Sequence, residues 1–454
     1  MKVLINRNFA LLWLGQAISN LGDVILGAAL VLWMANDLGR GRSWAPVAVS
    51  GVFIAEYVPV ALIGPLAGVF VDRWSRQLTM LRTDGLRMAL TGCLAWLLSP
   101  TLPFFGSLEP PLGWRLGAVY IVVLLDQSCG QFFNPARLAL IGDIVGPEDL
   151  ARATSLSQAT MGLSVIVGPA IGSLLVFNFG IQWAVIADAL SFAVSFLTIA
   201  LIRVPVEKPQ ERGHISFGQD FRAGLQVLIG NRGLLAVLLA SLLSMSAFGA
   251  LNALAIFFVT DNLHAQPNLY GPLGTVLGLG AIAGALLAGL IANRLGLRRL
   301  LWGATLALGL TTLLLARMTS SGPAFVLIWL VGATWIAVNV AVEPLVLRLT
   351  AREFVGRVTA VLTPAGSLAS VLSAALAGAL VSTVLHDFHG TVLGLTFGPV
   401  DTFLCGIGSL VLLGSMVVRL LMHNVHFLDE PTESATSPLA SSTDQASQAK
   451  APDP

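Results

Sequence analysis

The sequence predicts an all-α polytopic membrane protein, with twelve transmembrane helices arranged as two pseudo-symmetric halves of six. Three observations carry this. Hydrophobic residues make up 56% of the 454 positions and charged residues only 11%, less than half of the roughly 25% found in soluble domains. A hydropathy window of about 19 residues picks out twelve apolar segments, six on either side of a charged, proline-containing stretch. Lysine and arginine gather in alternate connections, so one face of the bundle collects most of them.

The first six segments run over about 9–35, 46–71, 78–98, 116–136, 156–177 and 181–202, and the second six over about 234–259, 272–292, 299–316, 324–347, 358–384 and 400–422. The first is longer than a signal-peptide core and reads as a retained span. Residues 1–202 and 233–423 are thus the two halves. Residues 203–232 form a cytoplasmic linker, marked by Arg203, Pro205, Glu207, Lys208, Pro209, Glu211 and Arg212. Its second part sets Phe217, Phe221, Leu225 and Leu228 at near-helical spacing, which suggests a short helix in the membrane interface. Residues 424–454 are rich in Ser, Thr, Ala, Pro and Gln without apolar period, and are expected to be a disordered cytoplasmic tail.

With the N-terminus inside, 21 of the 25 Lys and Arg residues, Arg87 among them, fall on the cytoplasmic side and the adjoining span ends. Arg40, Arg42, Arg115 and Arg317 remain outside. Both termini are expected in the cytoplasm and the protein in the inner (plasma) membrane. A net charge of +1 excludes a nucleic-acid partner that needs a basic surplus. Cys93, Cys129 and Cys405 have no paired spacing and read as small buried hydrophobes. The pairs His386 with His389 and His423 with His426 lack neighbouring ligands, so neither a metal nor a cofactor is expected. No phosphate-cradling Gly-Lys-Ser/Thr loop points to ATP as a drive.

A carboxylate near the middle of a span costs about 2.5–3.5 kcal/mol on insertion scales, so each one needs a reason. Asp23 lies on a stripe with Gln16, Asn20 and Gly27 that recurs every three or four residues and should line a cavity or a helix interface. In the fourth span Asp126, Gln127, Gln131 and Asn134 form a second polar patch. The tenth repeats the pattern with Trp335, Asn339 and Glu343, where Glu343 suits either ligand contact or a gate pair with Arg348 or Arg357. Glu56 stands in the second span, and Asp188 in the sixth reads as structural. Asp23, Asp126, Glu56 and Glu343 are the candidates for proton coupling. Ser244, Phe248 and Asn252 share one face of the seventh span, a wall that suits a lipophilic ligand or a packing seam equally well.

Between the second and third spans, Gly68-Val-Phe-Val-Asp72-Arg73-Trp-Ser-Arg76 resembles the Gly-x-x-x-Asp-Arg-x-x-Arg signature of the major facilitator superfamily. A weakened copy, Gly289 to Arg294 and on to Arg298-Arg299 with Asn293 replacing the acid, follows about 220 residues later in the same loop of the second half. The resemblance implies the major facilitator fold and a cytoplasmic gate in which Gly68, Asp72, Arg73, Arg76, Gly289 and Arg294 hold the outward-facing state. Gly162, Gly168, Pro169 and Gly172 in the fifth span are similar to the antiporter motif of that superfamily. Asn134-Pro-Ala-Arg137 and Asp188-Ala-Leu-Ser-Phe192 resemble its macrolide-efflux and siderophore-secretion branch. One departure matters: the fourth span lacks the arginine often tied to proton relay in drug antiporters and has Asp126 instead.

These features imply secondary active export of a lipophilic or amphipathic small molecule such as a drug, macrolide or siderophore, driven by inward proton flow. The expected partners are that substrate, protons and the bilayer, with the chain acting as a monomer. The alternatives are an importer or proton symporter of a small metabolite, and a membrane-embedded enzyme acting on lipids, which would need convergent catalytic groups at one depth. The acids here are scattered over several depths, so no enzymatic activity is expected.

Overall fold

The computed structural model describes residues 5–71, 73–99, 111–203, 217–388, 390–392 and 395–423. The first half comprises α1 (Arg7–Trp33), α2 (Ala45–Leu62), α3 (Gly64–Val71), α4 (Arg76–Leu98), α5 (Leu112–Ile144), α6 (Leu150–Phe179) and α7 (Ile181–Ala200). A linking helix, α8 (Phe217–Gly230), precedes α9 (Arg232–Phe257), α10 (Tyr270–Leu295), α11 (Leu297–Ala316), α12 (Ser321–Leu349), α13 (Val355–Ser382) and α14 (Pro399–Met422). A small antiparallel hairpin, β1 (Gly390–Val392) with β2 (Leu395–Phe397), joins the last two helices and is the one departure from an all-α chain among the described residues. Eleven of these helices are each long and apolar enough to cross a membrane. The twelfth span is α4, whose 23 residues include Arg76, Arg82, Asp84 and Arg87 and so dilute its hydropathy.

Local chemistry sets the breaks. The second span, expected as one helix, divides at Ile63 because Pro65 has no N–H to continue the ladder; Ile63 N–H still bonds the Pro59 carbonyl and the chain restarts with a short-range bond from Leu66. Elsewhere Thr and Ser hydroxyls donate to carbonyls one turn back, such as Thr160 to Leu156 and Ser164 to Thr160, and so satisfy themselves inside an apolar medium. Small residues let spans meet at backbone distance: a Cβ on Gly280 would stand 2.0 Å from the Trp329 carbonyl oxygen and one on Gly284 2.3 Å from that of Ala333, so α10 and α12 touch directly.

The two halves repeat in detail. Asn6 caps α1 by accepting from Phe9 N–H, and its amide donates to the Ile144 carbonyl at the end of α5 (2.6 Å). Asn231 caps α9 in the same way and donates to the Leu349 carbonyl at the end of α12 (3.2 Å). Both α1 and α9 run on into a wide π turn, Met34–Leu38 and Phe258–Asn262, bearing Asp37 and Asp261. An even number of spans puts Arg7 and Met422 at the same end of the bundle, the terminal end.

The halves meet towards the other, far end. There Val47 N–H donates to Ser382 Oγ, and a Cβ on Gly378 would fall 2.3 Å from Ser50 Oγ, which locks α2 onto α13. On the opposite seam Thr275 Oγ1 donates to the Ile166 carbonyl (2.6 Å) and Ser173 Oγ to that of Asn268, which joins α6 to α10. At the terminal end α8 packs on the second half, with Gly224 against the Arg357 backbone and Leu228 fully buried. Cys93 is exposed, facing out from α4 rather than into the core, and Cys129 is buried as expected.

Candidate functional site

Arg87 organises the interior of the first half. It sits three turns into α4, is 5% exposed, and holds Asp126 of α5 by two parallel bonds, Nε to Oδ1 at 2.8 Å and Nη2 to Oδ2 at 3.0 Å. The same Nη2 reaches Asp23 Oδ1 of α1 at 2.9 Å, and the guanidinium lies 4.1 Å above the Phe192 ring of α7. Four helices are therefore tied through one cation, in the fork geometry that suits a carboxylate. The expectation that put Arg87 on the cytoplasmic side is corrected: its donors are buried among carboxylates. The missing fourth-span arginine has a counterpart here, with charge supplied by α4 and Asp126 receiving it.

Three more carboxyls surround this pair. Asp84, one turn before Arg87 and fully buried, accepts from Ser195 Oγ (2.6 Å), which in turn accepts from Gln16 Nε2 (3.1 Å). Its other oxygen has no partner among the described residues. Asp188 receives the Ser191 hydroxyl and packs on Gly22, where a Cβ would stand 2.6 Å from Asp188 Oδ1. Glu56 of α2 joins Asp23, Asp126, Gln127 and Thr91 around a cavity with about 30 Å³ of water-accessible space, room for one or two waters. Among the described residues Glu56 has no ion pair.

The predicted polar residues divide accordingly. Asp23, Glu56, Asp126 and Gln127 come together at the cavity, whose lining belongs wholly to the first half. Gln16 is turned to the α1–α7 seam, Asn20 is half-buried on α1, and Gln131 lies beside Gly64 at the break of the second span. In the second half Phe248 stacks on Trp335 (4.6 Å between centroids, 15° between planes). Asn252 and Asn339 donate to the carbonyls of those two residues, and Ser244 is fully buried. Glu343 is exposed on α12 and is not among the residues lining that cavity. Sequence reasoning missed Asp84 and Arg87; the signal was an acid and a base three residues apart in a segment long enough to span, beside other helices whose buried acids needed a cation.

At the signature loop Arg76 pairs with Asp143 at the end of α5, a bond within the first half, while Arg73 and Arg294 are exposed. Asp72 lies outside the described residues, as do His389, His426, residues 204–216 of the linker and the tail from 424 onward. A Cβ on Gly68 or Gly289 of the signature loops, or on Gly162 of the fifth-span motif, would meet nothing within 4 Å. The other motif residues are tightly packed. A Cβ on Gly168 would reach Val24 at 2.5 Å and one on Gly172 the Ile25 carbonyl at 2.7 Å, and Pro169 meets Gly271 and Gly274 across the seam between halves. Among the described residues no group of three or more His, Cys, Asp or Glu is placed to hold a metal.

Known proteins share this architecture. The family described as "Transmembrane secretion effector" matches residues 2–399. Macrolide efflux protein A of Streptococcus pyogenes is 27% identical over 287 residues, 63% of this chain and 67% of that protein. The uncharacterized MFS-type transporter YkuC of Bacillus subtilis is 24% identical over 406 residues, covering 86% and 90% of the two chains. Among solved structures, a bacterial homologue of the iron transporter ferroportin in an inward-facing state superposes with a TM-score of 0.70 at 13% identity, over 92% of this chain and 98% of that one. The chain is thus a multi-pass membrane transporter rather than an enzyme, and it belongs to the transmembrane secretion effector family of the major facilitator superfamily.

Proposed function

We propose that this transporter exports a lipophilic or amphipathic small molecule from the cytoplasm across the plasma membrane, in exchange for protons, as a monomer with both termini inside. The observation that carries the reading is the ratio of five carboxyls (Asp23, Glu56, Asp84, Asp126 and Asp188) to one guanidinium, Arg87, in a bundle interior. A surplus of that kind calls for neutralisation by protons or by a cationic part of the substrate, and exchange between the two is antiport. Asp126 is held on both oxygens and is the poorest carrier; Glu56, at the cavity with no ion pair among the described residues, is the best, with Asp23 next. The stacked Phe248 and Trp335 supply an apolar, aromatic wall in the other half, suited to the lipophilic part of the ligand. The family's description and the name of the streptococcal relative support export, and macrolides head the list of compounds to test.

In this arrangement the halves meet towards the far end, which leaves the terminal end as the side from which substrate enters. The signature loops would close that end in the alternate state, where Gly68 and Gly289 gain the partners they lack here. The test is accumulation of macrolides and cationic dyes in an efflux-deficient bacterium, with and without an uncoupler, for wild type, Glu56→Gln and Asp23→Asn. Expected is lowered accumulation in wild type, lost on adding the uncoupler and lost in Glu56→Gln at equal membrane expression. Uncoupler-sensitive efflux that persists in both variants would refute proton coupling through this cluster.

A further inference from the structure

We infer that α12 carries a ligand site of its own, apart from the carboxylate cluster, which takes a lipophilic monocation: Glu343 holds the ammonium group, and the stacked rings of Phe248 and Trp335 hold the apolar body. Trp335, Asn339 and Glu343 follow one another at four-residue steps along α12, so they share a face, and about 12 Å of helix separates the first from the last. Phe248 of α9 lies on Trp335 at the inner end of this column (4.6 Å between centroids, 15° between planes). Both rings are half-buried, which leaves part of their surface open to a ligand.

Two features turn Glu343 towards the cleft between the halves. Within α9 to α14 it is the only charged side chain lying more than a turn inside a helix; it is exposed, and it makes no ion pair among the described residues, with Arg348 or Arg357 included. A carboxylate so placed is stable against water and costly against lipid, so its face of α12 borders the cleft that the halves, joined towards the far end, leave open at the terminal end. The corresponding helix of the first half is laid out in the same way. On α5, Gln127 lines the carboxylate cavity, Gln131 follows one turn on, and the exposed Asn134 directly precedes Pro135, as the exposed Glu343 directly precedes Pro344 on α12. Two polar columns thus run from the middle of the bundle towards the terminal end, and the one on α12 ends in a charge.

The class of ligand follows from the two ends of the column. A lone carboxylate about two turns from a pair of stacked rings suits one positive charge carried roughly 12 Å from a flat apolar group. A neutral amphiphile gains only the rings, and an anion is repelled. Such a site meets a ligand arriving from the terminal end before the carboxylate cluster does. The inference rests on the proposed amphipathic substrate but not on proton coupling, because no carboxyl of the cluster takes part in it.

The experiment measures equilibrium binding to the purified full chain in detergent, by dialysis against protein-free micelles, with two probes of one shape. These are 6-(1-naphthyl)hexyltrimethylammonium and its neutral analogue with tert-butyl in place of trimethylammonium. The wild type is expected to bind the cation about five- to tenfold more tightly, as for one partly screened ion pair. Glu343→Gln, an exposed position that tolerates the change, should bring the two probes within about twofold of each other, and Glu343→Asp should keep most of the preference. Glu56→Gln should leave the ratio at its wild-type value. Trp335→Ala should weaken both probes by about tenfold and keep the ratio, which separates the ring from the charge. A preference that survives Glu343→Gln, or that is lost in Glu56→Gln instead, overturns the inference. Equal binding of both probes by the wild type also overturns it and leaves the amphipathic substrate standing, whereas binding of neither counts against both.

Discussion

Replacing Arg87 by glutamine tests whether one cation holds the first half together. The substitution removes two bonds to Asp126 (2.8 and 3.0 Å), one to Asp23 (2.9 Å) and the contact with Phe192 (4.1 Å), and leaves two carboxyls buried beside each other. Breaking a buried pair from one side costs about 3–5 kcal/mol, because the remaining charge loses its partner. In a unit of roughly 200 residues, at about 2–4 °C per kcal/mol, this lowers the unfolding midpoint by about 6–20 °C. Adding Asp126→Asn removes the stranded charge and should return part of the loss, with a coupling of about 2–3 kcal/mol between the two sites. The assay is thermal unfolding of the purified single and double variants in one detergent, read by intrinsic fluorescence. Strictly additive losses, or an Arg87→Gln protein as stable as wild type, would refute the view that the guanidinium is the structural centre of the cluster.

Two further outcomes test the packing. Gly172→Ala places a Cβ 2.7 Å from the Ile25 carbonyl and should cost about 1–3 kcal/mol as α1 and α6 are pushed apart, whereas Gly162→Ala, in open space, should stay within about 0.5 kcal/mol in the same thermal assay. Asn6→Asp keeps the oxygen that caps α1 but loses the amide that donates to the Ile144 carbonyl, so it should lose less stability than Asn6→Ala; the alanine is expected to cost about 1–2 kcal/mol, and Asn231→Ala in the second half should behave alike. Equal losses for the aspartate and the alanine would assign all of the effect to the bond between helices.

The number of spans, the duplication and the family were legible in the chain because each rests on properties that survive without tertiary context. A bilayer demands about 20 apolar residues per helix, and the Gly68 and Gly289 loops share a spacing that any fold of this class must repeat. The division of the second span was also written locally, in Gly64 and Pro65, although a hydropathy window averages over it. The polar stripe on α1 was visible as a stripe, but periodicity fixes only which residues share a face, not what that face meets. Thus Asp23 turns to the cavity and Arg87, while Gln16, two turns away, serves the α7 seam through Ser195.

Which charges are partners was decided by the tertiary structure alone. Arg87 and Asp126 are 39 positions apart and Arg87 and Asp23 are 64 apart, and counting basic residues by side assigned Arg87 to the cytoplasm because such a count has no depth. Composition and period determine that a segment enters the membrane and which of its faces is polar. The pairing of those faces depends on how twelve helices pack at backbone distance, through glycines whose neighbours lie elsewhere in the chain, and that information exists only once the bundle has formed.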